Sequence, residues 1–487
     1  MNFVINIRKI FYLPIILLFF PAFALKIPGT NFIYLYIHFV IYILLGYLLL
    51  TRPVKFISKI ADVIKATPVK YLFIAMIMMI LNSIILFLLG KLSLYVLLVY
   101  IFGNIIFKII PILMYFMYII DSIIPFKKFL KTFIFLFWIN LIMGFVSYIG
   151  QFYEIDFING FFNFFANIRF ITSGLLGRDS SFSSNYQAFG LPRLDNLFEE
   201  PAFYALFLFL FLPFVYNFRK MNFHYVKNKY FNLIISKTLL PFTLINLFLT
   251  FSPINQIFAL FLTIIIYFKD IVRFIKKYFI FLLVIISLAI WVIFTKDFSD
   301  TYLSRVINVM LNVKSLKDFA IIEPSLATRI IGALNSACIY FQHPISGVGM
   351  GNLPYAAYNQ YLQSPFPLTE EIINKTAVYV ANGKPVAKIM GGFFTTILAE
   401  NGTLISLIWL YFIYKLYKIS SVIQKRSCCN NDYFYYLFSH SLKNTIFAIF
   451  IVFFYDLSYT SLTFLIIVIL GITGIYSYKK NILKSNE

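Results

Sequence analysis

Long runs of apolar residues, separated by short polar and basic stretches, recur along the chain from residue 10 to residue 476. A helix of about 20 apolar residues is long enough to cross the hydrocarbon core of a bilayer. By that measure the pattern predicts about twelve membrane-spanning helices. They lie near residues 10–25, 31–50, 71–90, 93–120, 132–152, 201–218, 237–252, 254–268, 278–295, 393–414, 444–458 and 461–477.

The composition agrees with this pattern. Of the 487 residues, 61% are hydrophobic and 12% are charged, whereas a soluble domain carries about 25% charged residues. So few charges cannot form a water-exposed surface, and the sequence predicts one all-α polytopic membrane domain over residues 1–487. The three cysteines and four histidines are scattered, without the spacing of a metal, haem or disulfide site. No metal site and no cofactor are therefore predicted.

The basic residues decide the orientation of the predicted helices. With the N-terminus in the cytosol, the cytosolic segments hold 27 of the 41 Lys and Arg residues but only five of the 19 acids. This is the positive-inside pattern, and it predicts that both termini are cytoplasmic. The net charge of +22 then meets anionic lipid headgroups, so nucleic acid is not a predicted partner. A signal peptide cleaved after residues 22–24 is an alternative for the first helix and leaves this sidedness unchanged.

Two predicted outward loops, residues 153–200 and 296–392, are far longer than the connections that usually join helices. The first contains three arginines and ends at Glu199 and Glu200, directly before Pro201 at the start of the sixth span. Two carboxylates at this place are explained by the positive end of the helix dipole. Beside arginines they also suit a sugar hydroxyl and a phosphate. The three arginines of this loop are Arg169, Arg178 and Arg193.

The second loop carries Arg305 and Arg329, followed by His343 and a glycine-rich stretch that includes Gly347 and Gly349. The glycines superficially resemble a phosphate-cradling loop, but they do not open a βα unit. A tight backbone turn that a ligand could approach is the better interpretation. Apolar residues recur at helical spacing through 305–342, which predicts amphipathic helices on the membrane face. In the C-terminal part of this region the predicted apolar stripe consists of Ile330, Ala333, Leu334, Ala337, Tyr340 and Phe341.

Four motifs, in order, resemble the bacterial O-antigen polymerase (Wzy) and O-antigen ligase (WaaL) superfamily. Arg193-Leu-Asp-Asn-Leu-Phe-Glu-Glu-Pro-Ala resembles the polymerase pattern R-x-x-G-x-F-x-E-P-S, and Leu249-Thr-Phe-Ser resembles L-T-x-S-R. His343-Pro-Ile-Ser-Gly-Val-Gly-Met-Gly-Asn resembles H-P-[IL]-x-G-x-G-x-G, and Leu398-Ala-Glu-Asn-Gly resembles L-x-E-x-G. Together they cover about residues 190–410.

The chain departs from these patterns at several places. Asn196 stands where the family has Gly, Ala202 follows the Pro in place of Ser, and Pro253 replaces the Arg of L-T-x-S-R. A glycine, Gly391 or Gly392, stands where the ligases have the His of their second-loop motif. Because the ligases depend on that His, the resemblance is closer to the polymerases.

The resemblance implies a GT-C-like, metal-independent glycosyltransferase of the bacterial inner membrane. Its substrates are undecaprenyl-diphosphate-linked oligosaccharides, and a flippase and a chain-length regulator are the implied partners. In the implied mechanism Arg193, Arg329 and Arg305 bind the diphosphate, and Glu200 acts as a base or as a group that orients the attacking hydroxyl. The remaining implied substrate contacts are Arg169, Arg178, His343, Gly347 and Gly349.

Three alternatives stay open. The first is an O-antigen ligase that transfers glycan from the lipid diphosphate. The second is a lipid-linked oligosaccharide flippase, which is disfavoured because the predicted spans hold almost no charge apart from Lys108 and Glu400. The third is a secondary transporter, which is disfavoured because the sequence shows no paired, broken spans in two halves.

Overall fold

The computed structural model describes residues 10–19, 35–161, 187–188, 191–192, 194, 201–219, 228–250, 259–264, 268, 272, 315, 318, 324–353, 356, 393–451 and 462–485. Nearly all of these residues are helical. The β-structure within them consists of β1 (Gln187–Ala188), which pairs antiparallel with β2 (Leu191–Pro192), and a bridge between Ile120 and Ile124.

The helices are numbered in chain order. They are α1 (Leu13–Phe19), α2 (Leu35–Thr51), α3 (Pro53–Ala66), α4 (Val69–Leu88), α5 (Leu94–Val96), α6 (Ile110–Ile119), α7 (Phe126–Phe152), α8 (Pro201–Phe218), α9 (Lys229–Leu249), α10 (Pro324–Gln342), α11 (Phe393–Cys429), α12 (Tyr433–Ile451) and α13 (Leu462–Ser485). A π-helix over Leu97–Ile109 joins α5 to α6. Residues 156–161 and 259–264 are also helical.

Six helices are long and apolar enough to cross a membrane within the described part of the chain. Each overlaps a predicted span, which confirms an all-α, multi-pass membrane protein. The six are Val69–Leu88, Ile101–Ile119, Phe126–Phe152, Lys229–Leu249, Phe394–Cys429 and Thr463–Leu483.

The number of twelve spans and the GT-C-like architecture remain predictions. α2, α8 and α12 lie where three further spans were predicted, but they do not meet the same criterion of length and hydropathy by themselves. α2 and α3 together make a seventh candidate, although they meet at a bend of 113°. The predicted span at 278–295 lies outside the described residues.

α8 is enclosed by the rest of the bundle, and its sequence explains why. From Tyr204 to Phe218 it presents apolar side chains in every direction, and all of these residues are buried. A helix without a polar face is stable only when other apolar groups surround it. α12 packs along α8 and is fixed by two hydrogen bonds: Asn217 Nδ2 donates to Ser441 Oγ at 2.9 Å, and Thr445 Oγ1 donates to Leu210 O at 3.0 Å.

One end of the bundle gathers the basic residues, and we call it the basic end. Contacts from α13 define it: Lys479 Nζ donates to Ala66 O at 2.5 Å, and Lys480 Nζ donates to Asp121 O at 3.1 Å. Most described lysines and arginines lie on elements that meet here. The opposite end carries Lys91 together with Glu154, Asp156 and Glu400. The described basic residues are thus concentrated at one end of the bundle, and the membrane side of that end stays a prediction.

α3 lies along the basic end as an amphipathic helix. Phe56, Ile60 and Val63 are buried against the bundle, whereas Val54 and Ile57 are exposed. Charged residues are interspersed along its 14 residues, which is typical of a helix in the interfacial region beside a membrane rather than across it. We therefore place α3 outside the membrane-spanning segments.

Lys59 is the lysine of α3 that the fold buries. Its Nζ lies 3.6 Å from the centroid of the Tyr476 ring, a cation–π contact that docks α3 onto α13. The Nζ has no hydrogen-bond partner among the described residues. Burial, and secondly the nearby charge of Lys480, lowers the pKa of Lys59 from 10.5 to about 8, although Asp121 and Asp62 oppose the shift.

This shift predicts how stability depends on pH. Between about pH 8 and pH 10.5 the unfolded chain still binds the Lys59 proton and the folded protein does not. The free energy of unfolding therefore increases with pH across that window. Below pH 8 Lys59 is protonated in both states, and burial of its charge destabilises the folded protein by the full amount. Thermal unfolding of the detergent-solubilised protein from pH 7.5 to 10.5 measures it.

The variant Lys59→Met should lose this contribution, so its pH curve should be flatter than that of the wild type. Lys55→Met is the matched control, because Lys55 is an exposed lysine one turn earlier in α3. Parallel curves for Lys59→Met and the wild type would contradict the assignment.

Candidate functional site

Two of the four motifs meet at the end of the bundle opposite the basic end. The residue after Arg193, Leu194, is fully buried, and its N–H donates to Leu249 O at 2.9 Å. Leu249 opens the Leu249-Thr-Phe-Ser motif at the end of α9. The buried Thr250 donates its Oγ1 to Leu247 O at 2.7 Å and so closes that helix end.

A second contact aligns α8 with α9 at the same end. Tyr204 OH donates to Asn246 Oδ1 at 3.0 Å, and Asn246 Nδ2 reaches Leu141 O of α7 at 3.2 Å. Both side chains are buried, so these hydrogen bonds stabilise groups that would otherwise be desolvated without a partner. The start of α8 is therefore held beside the end of α9, close to the segment that follows Arg193.

The other two motifs also meet, at a break in α11. Residues 343–352, which we call the glycine turn, pack against residues 399–403, which we call the helix break. At Gly402 the backbone is not helical, with φ +70° and ψ −177°. Within a membrane, a helix interruption leaves carbonyl groups that need other donors. The glycine turn supplies them.

Three N–H groups of the glycine turn donate to the helix break. The N–H of Val348 donates to Ala399 O at 2.9 Å, and that of Gly349 donates to Glu400 O at 2.9 Å. The N–H of Gly351 donates to the carboxylate Oε1 of Glu400 at 3.0 Å. In the reverse direction, Thr403 donates its N–H to Pro344 O at 2.8 Å. These donors are therefore engaged by protein rather than turned towards a phosphate.

The contact depends on glycine because the two backbones approach so closely. Gly347 has φ +63°, and a Cβ built on it would lie 2.5 Å from the carbonyl carbon and oxygen of Glu400. A side chain at Gly402 would meet Ile345 O in the same way. At Gly349, with φ +92°, a Cβ would lie 3.1 Å from Leu86 and Leu92. The turn that the sequence predicted is thus present, and it packs on α11.

Two asparagine side chains, one on α4 and one within the turn, hold the glycine turn on the side that faces α4. Asn82 of α4 donates its Nδ2 to Ser346 O at 2.8 Å. Asn352 Nδ2 donates to Val348 O at 2.9 Å and reaches Lys91 O at 3.4 Å. The turn is consequently clamped between α4 and α11 at the end opposite the basic end.

α10 leads directly into the glycine turn and packs along α11. The helix confirms the C-terminal part of the predicted helical region 305–342. Its most buried apolar residues are Ala327, Ile331, Ala333 and Ile339. The predicted apolar stripe contained Ala333, whereas Phe341, also predicted on it, is exposed. The buried face of α10 is therefore rotated from the predicted one. α10 packs along α11, and the prediction, made from the sequence alone, could not include that neighbour.

The predicted site residues fall into two groups. Arg169, Arg178, Arg193, Glu200 and Arg305 lie outside the described residues, and their roles stay predictions. Of the others, Arg329 belongs to α10, His343 is exposed at its end, and Gly347 and Gly349 are buried in the glycine turn. Their predicted contact with substrate also stays a prediction.

No model of a known protein family matches this chain, and a comparison with curated proteins finds no match. The class that the fold defines is a multi-pass, all-α membrane protein. The four motifs and the contacts between them carry the functional argument.

Sequence reasoning missed the contact between the motifs, and with it the part played by Glu400, Thr403 and Asn82. A signal was present: Gly402 follows Glu400 and Asn401 inside an otherwise apolar span, and a polar, glycine-containing interruption indicates a broken helix. The partner of that break could not be found from the sequence, because Gly351 and Glu400 are 49 residues apart.

The close contact at Gly347 predicts that adding a single methyl group there destabilises the protein strongly. Gly347→Ala should lower the free energy of unfolding by about 2 kcal/mol or more, since it adds left-handed strain to a backbone clash. Thermal unfolding in detergent measures the change. Gly46→Ala in α2 is the matched control, because a Cβ there meets nothing within 4 Å and should be tolerated. Equal stability of the two variants would contradict the contact.

Proposed function

We propose that the protein polymerises undecaprenyl-diphosphate-linked oligosaccharide repeat units on the outer face of the bacterial inner membrane. The observation that carries the proposal is the pairing of the four motifs that resemble the O-antigen polymerases. The motif after Arg193 contacts the end of α9, and the glycine turn contacts the helix break. Both contacts lie at the end of the bundle that faces away from the basic end.

The charge distribution supports the orientation. Basic loops are retained in the cytosol during insertion, so the basic end is assigned to the cytosolic surface. The paired motifs and the two long loops, 153–200 and 296–392, then face outward, where lipid-linked oligosaccharides are presented. In this orientation both termini are cytoplasmic.

In the proposed reaction the growing chain on undecaprenyl diphosphate is the donor. A hydroxyl of one lipid-linked repeat unit attacks the anomeric carbon, and a new carbon–oxygen bond forms as the bond to the diphosphate oxygen breaks. Glu200 takes the hydroxyl proton, and undecaprenyl diphosphate leaves with the bonding electron pair. The polymer chain is thereby transferred onto the incoming unit.

Stabilising the leaving diphosphate is the main task of the site, because negative charge accumulates there in the transition state. Arginine suits this task since its planar group binds two oxygens at once and keeps its charge. Arg193, Arg305 and Arg329 are assigned to the diphosphate. Arg169 and Arg178 are assigned to further anionic contacts, and His343 to orienting the acceptor.

Substitution of the proposed site tests the function. In a strain lacking its own copy, Arg193→Ala and Glu200→Gln should each reduce polymer by about 100-fold or more while single repeat units persist on lipid. Gel analysis of surface polysaccharide measures chain length. Arg426→Ala is the matched control, because Arg426 is an exposed arginine on the basic end and should leave chain length unchanged.

Normal polymer in both Arg193→Ala and Glu200→Gln would contradict the site. The deletion strain separates the alternative functions. Single repeat units on the lipid core identify a polymerase, free lipid-linked polymer with bare core identifies a ligase, and accumulation on the inner face identifies a flippase.

A further inference from the structure

Three tyrosine rings join α4 to α11 at the basic end of the bundle. Tyr71 lies near the start of α4, shortly after Ala66, whose carbonyl accepts from Lys479. Its ring meets the Tyr411 ring of α11 edge to face, with 4.8 Å between the two centroids. The Tyr411 ring in turn lies 6.3 Å from that of Tyr414. Because α4 packs along α11, the rings form one surface across both helices, which we call the tyrosine seam.

Each ring of the tyrosine seam carries a lysine ammonium group. The distances from Nζ to the ring centroid are 5.1 Å for Lys70 over Tyr71, 5.0 Å for Lys415 over Tyr411 and 5.9 Å for Lys418 over Tyr414. These cation–π contacts attract each charge to a ring face. An ammonium group has three N–H donors, so it can contact a ring and still donate to an anion on its other side.

The two helices of the seam provide no acidic residue that would neutralise these lysines. α4 contains none, and α11 contains none after Glu400, which lies at the opposite end of the bundle. Lys70 and Lys418 are exposed, and Lys415 is half-buried. Like charges on one surface repel each other, and an anion between them relieves that repulsion. The seam is therefore complementary to a negatively charged group.

From the seam towards the opposite end, both helices present apolar side chains to their surroundings. The exposed positions follow Lys70 along α4 and precede Tyr411 along α11 at intervals of three or four residues, which places them on one face of each helix. They are Ile74, Ile77 and Leu81 on α4 and Leu404 and Leu407 on α11. The charged surface is thus continuous with an apolar one, and the two together have the polarity of a lipid.

Two other lysines of the basic end also lie over aromatic rings but lack this apolar surface. Lys127 Nζ lies 5.0 Å from the centroid of Phe434, and Lys128 Nζ lies 5.7 Å from that of Tyr12. Both lysines belong to α7, in which residues 129–145 are buried or half-buried. A lipid whose phosphate reached these lysines would find no exposed face of α7 for its acyl chains.

We propose that the tyrosine seam binds an anionic phospholipid. Its phosphodiester accepts hydrogen bonds from Lys70, Lys415 and Lys418, and its acyl chains lie along the exposed apolar faces of α4 and α11. Tyrosine suits this position because its ring is stable at the level of the headgroups. The occupant is a diacyl phospholipid whose headgroup carries a net negative charge, such as phosphatidylglycerol. This inference does not depend on the proposed function.

Native mass spectrometry of the detergent-solubilised protein measures the affinity, with dioleoyl phosphatidylglycerol as the probe. Lys70→Gln, Lys415→Gln and Lys418→Gln combined should weaken binding by about 100-fold, since each basic residue near an anionic lipid contributes about fivefold. Replacing the same three lysines by arginine retains the charge, so the affinity should stay within about threefold of the wild type.

The matched control removes the same charge from α7 at the same end of the bundle. Lys127→Gln, Lys128→Gln and Lys131→Gln combined should change the affinity by less than about threefold, because the bound lipid does not contact α7. Equal losses in the two triple glutamine variants would show attraction by net charge alone and would overturn the site.

Two further probes, applied to the wild type, identify the occupant without relying on any variant. Dioleoyl phosphatidylcholine has the same acyl chains without net charge and should bind about tenfold more weakly or less. Glycerol phosphate has the anion without the chains and should not bind where phosphatidylglycerol saturates the protein. Equal affinity for the two lipids would overturn the role of the lysines. Equal affinity for glycerol phosphate and phosphatidylglycerol would overturn a lipid as the occupant.

Discussion

The structure depends on one constraint, which is that backbone polar groups inside a membrane protein must find partners within the protein. α11 breaks this rule locally at Gly402, where its carbonyl ladder is interrupted. The N–H groups of Val348 and Gly349 repair it at 2.9 Å each. These donors belong to the glycine turn, which lies more than 45 residues earlier in the chain. The helix break therefore holds the turn, which follows α10 and contacts α4, against α11.

The same constraint explains the other motif pair. The N–H of Leu194 is buried beside α9 and donates to Leu249 O, so the segment that precedes α8 is anchored by a carbonyl that the end of α9 leaves free. The need to pair backbone groups therefore explains both contacts, each of which joins two of the four motifs at the same end of the bundle. Most described basic residues lie at the other end, where Lys479 and Lys480 donate to the carbonyls of Ala66 and Asp121. The proposed function assigns these two ends to the cytosolic surface and to the outer surface, respectively.

Much of this architecture could be predicted from the sequence, because apolar run length and basic loops are local signals. The helices at Val69–Leu88 and Phe126–Phe152 appear where periodicity and length placed them. The 113° bend before α3 was not predicted, since a basic stretch with interspersed apolar residues fits a loop as well as an interfacial helix. The role of Glu400 was also missed, because its partner Gly351 is 49 residues away and no local pattern records that distance. The turn around Gly347 was predicted correctly, since its φ requirement is local.

The sidedness of the motif-bearing end is the central claim, and cysteine labelling tests it most directly. Ile345 is 86% exposed at the glycine turn, and the native Cys428 and Cys429 are exposed at the basic end. In one protein that lacks Cys338 and contains Ile345→Cys, a membrane-impermeant maleimide is applied to intact spheroplasts and then to permeabilised ones. The account predicts that the cysteine at position 345 is modified in intact spheroplasts and that Cys428 and Cys429 react only after permeabilisation. The reverse order of labelling would contradict it.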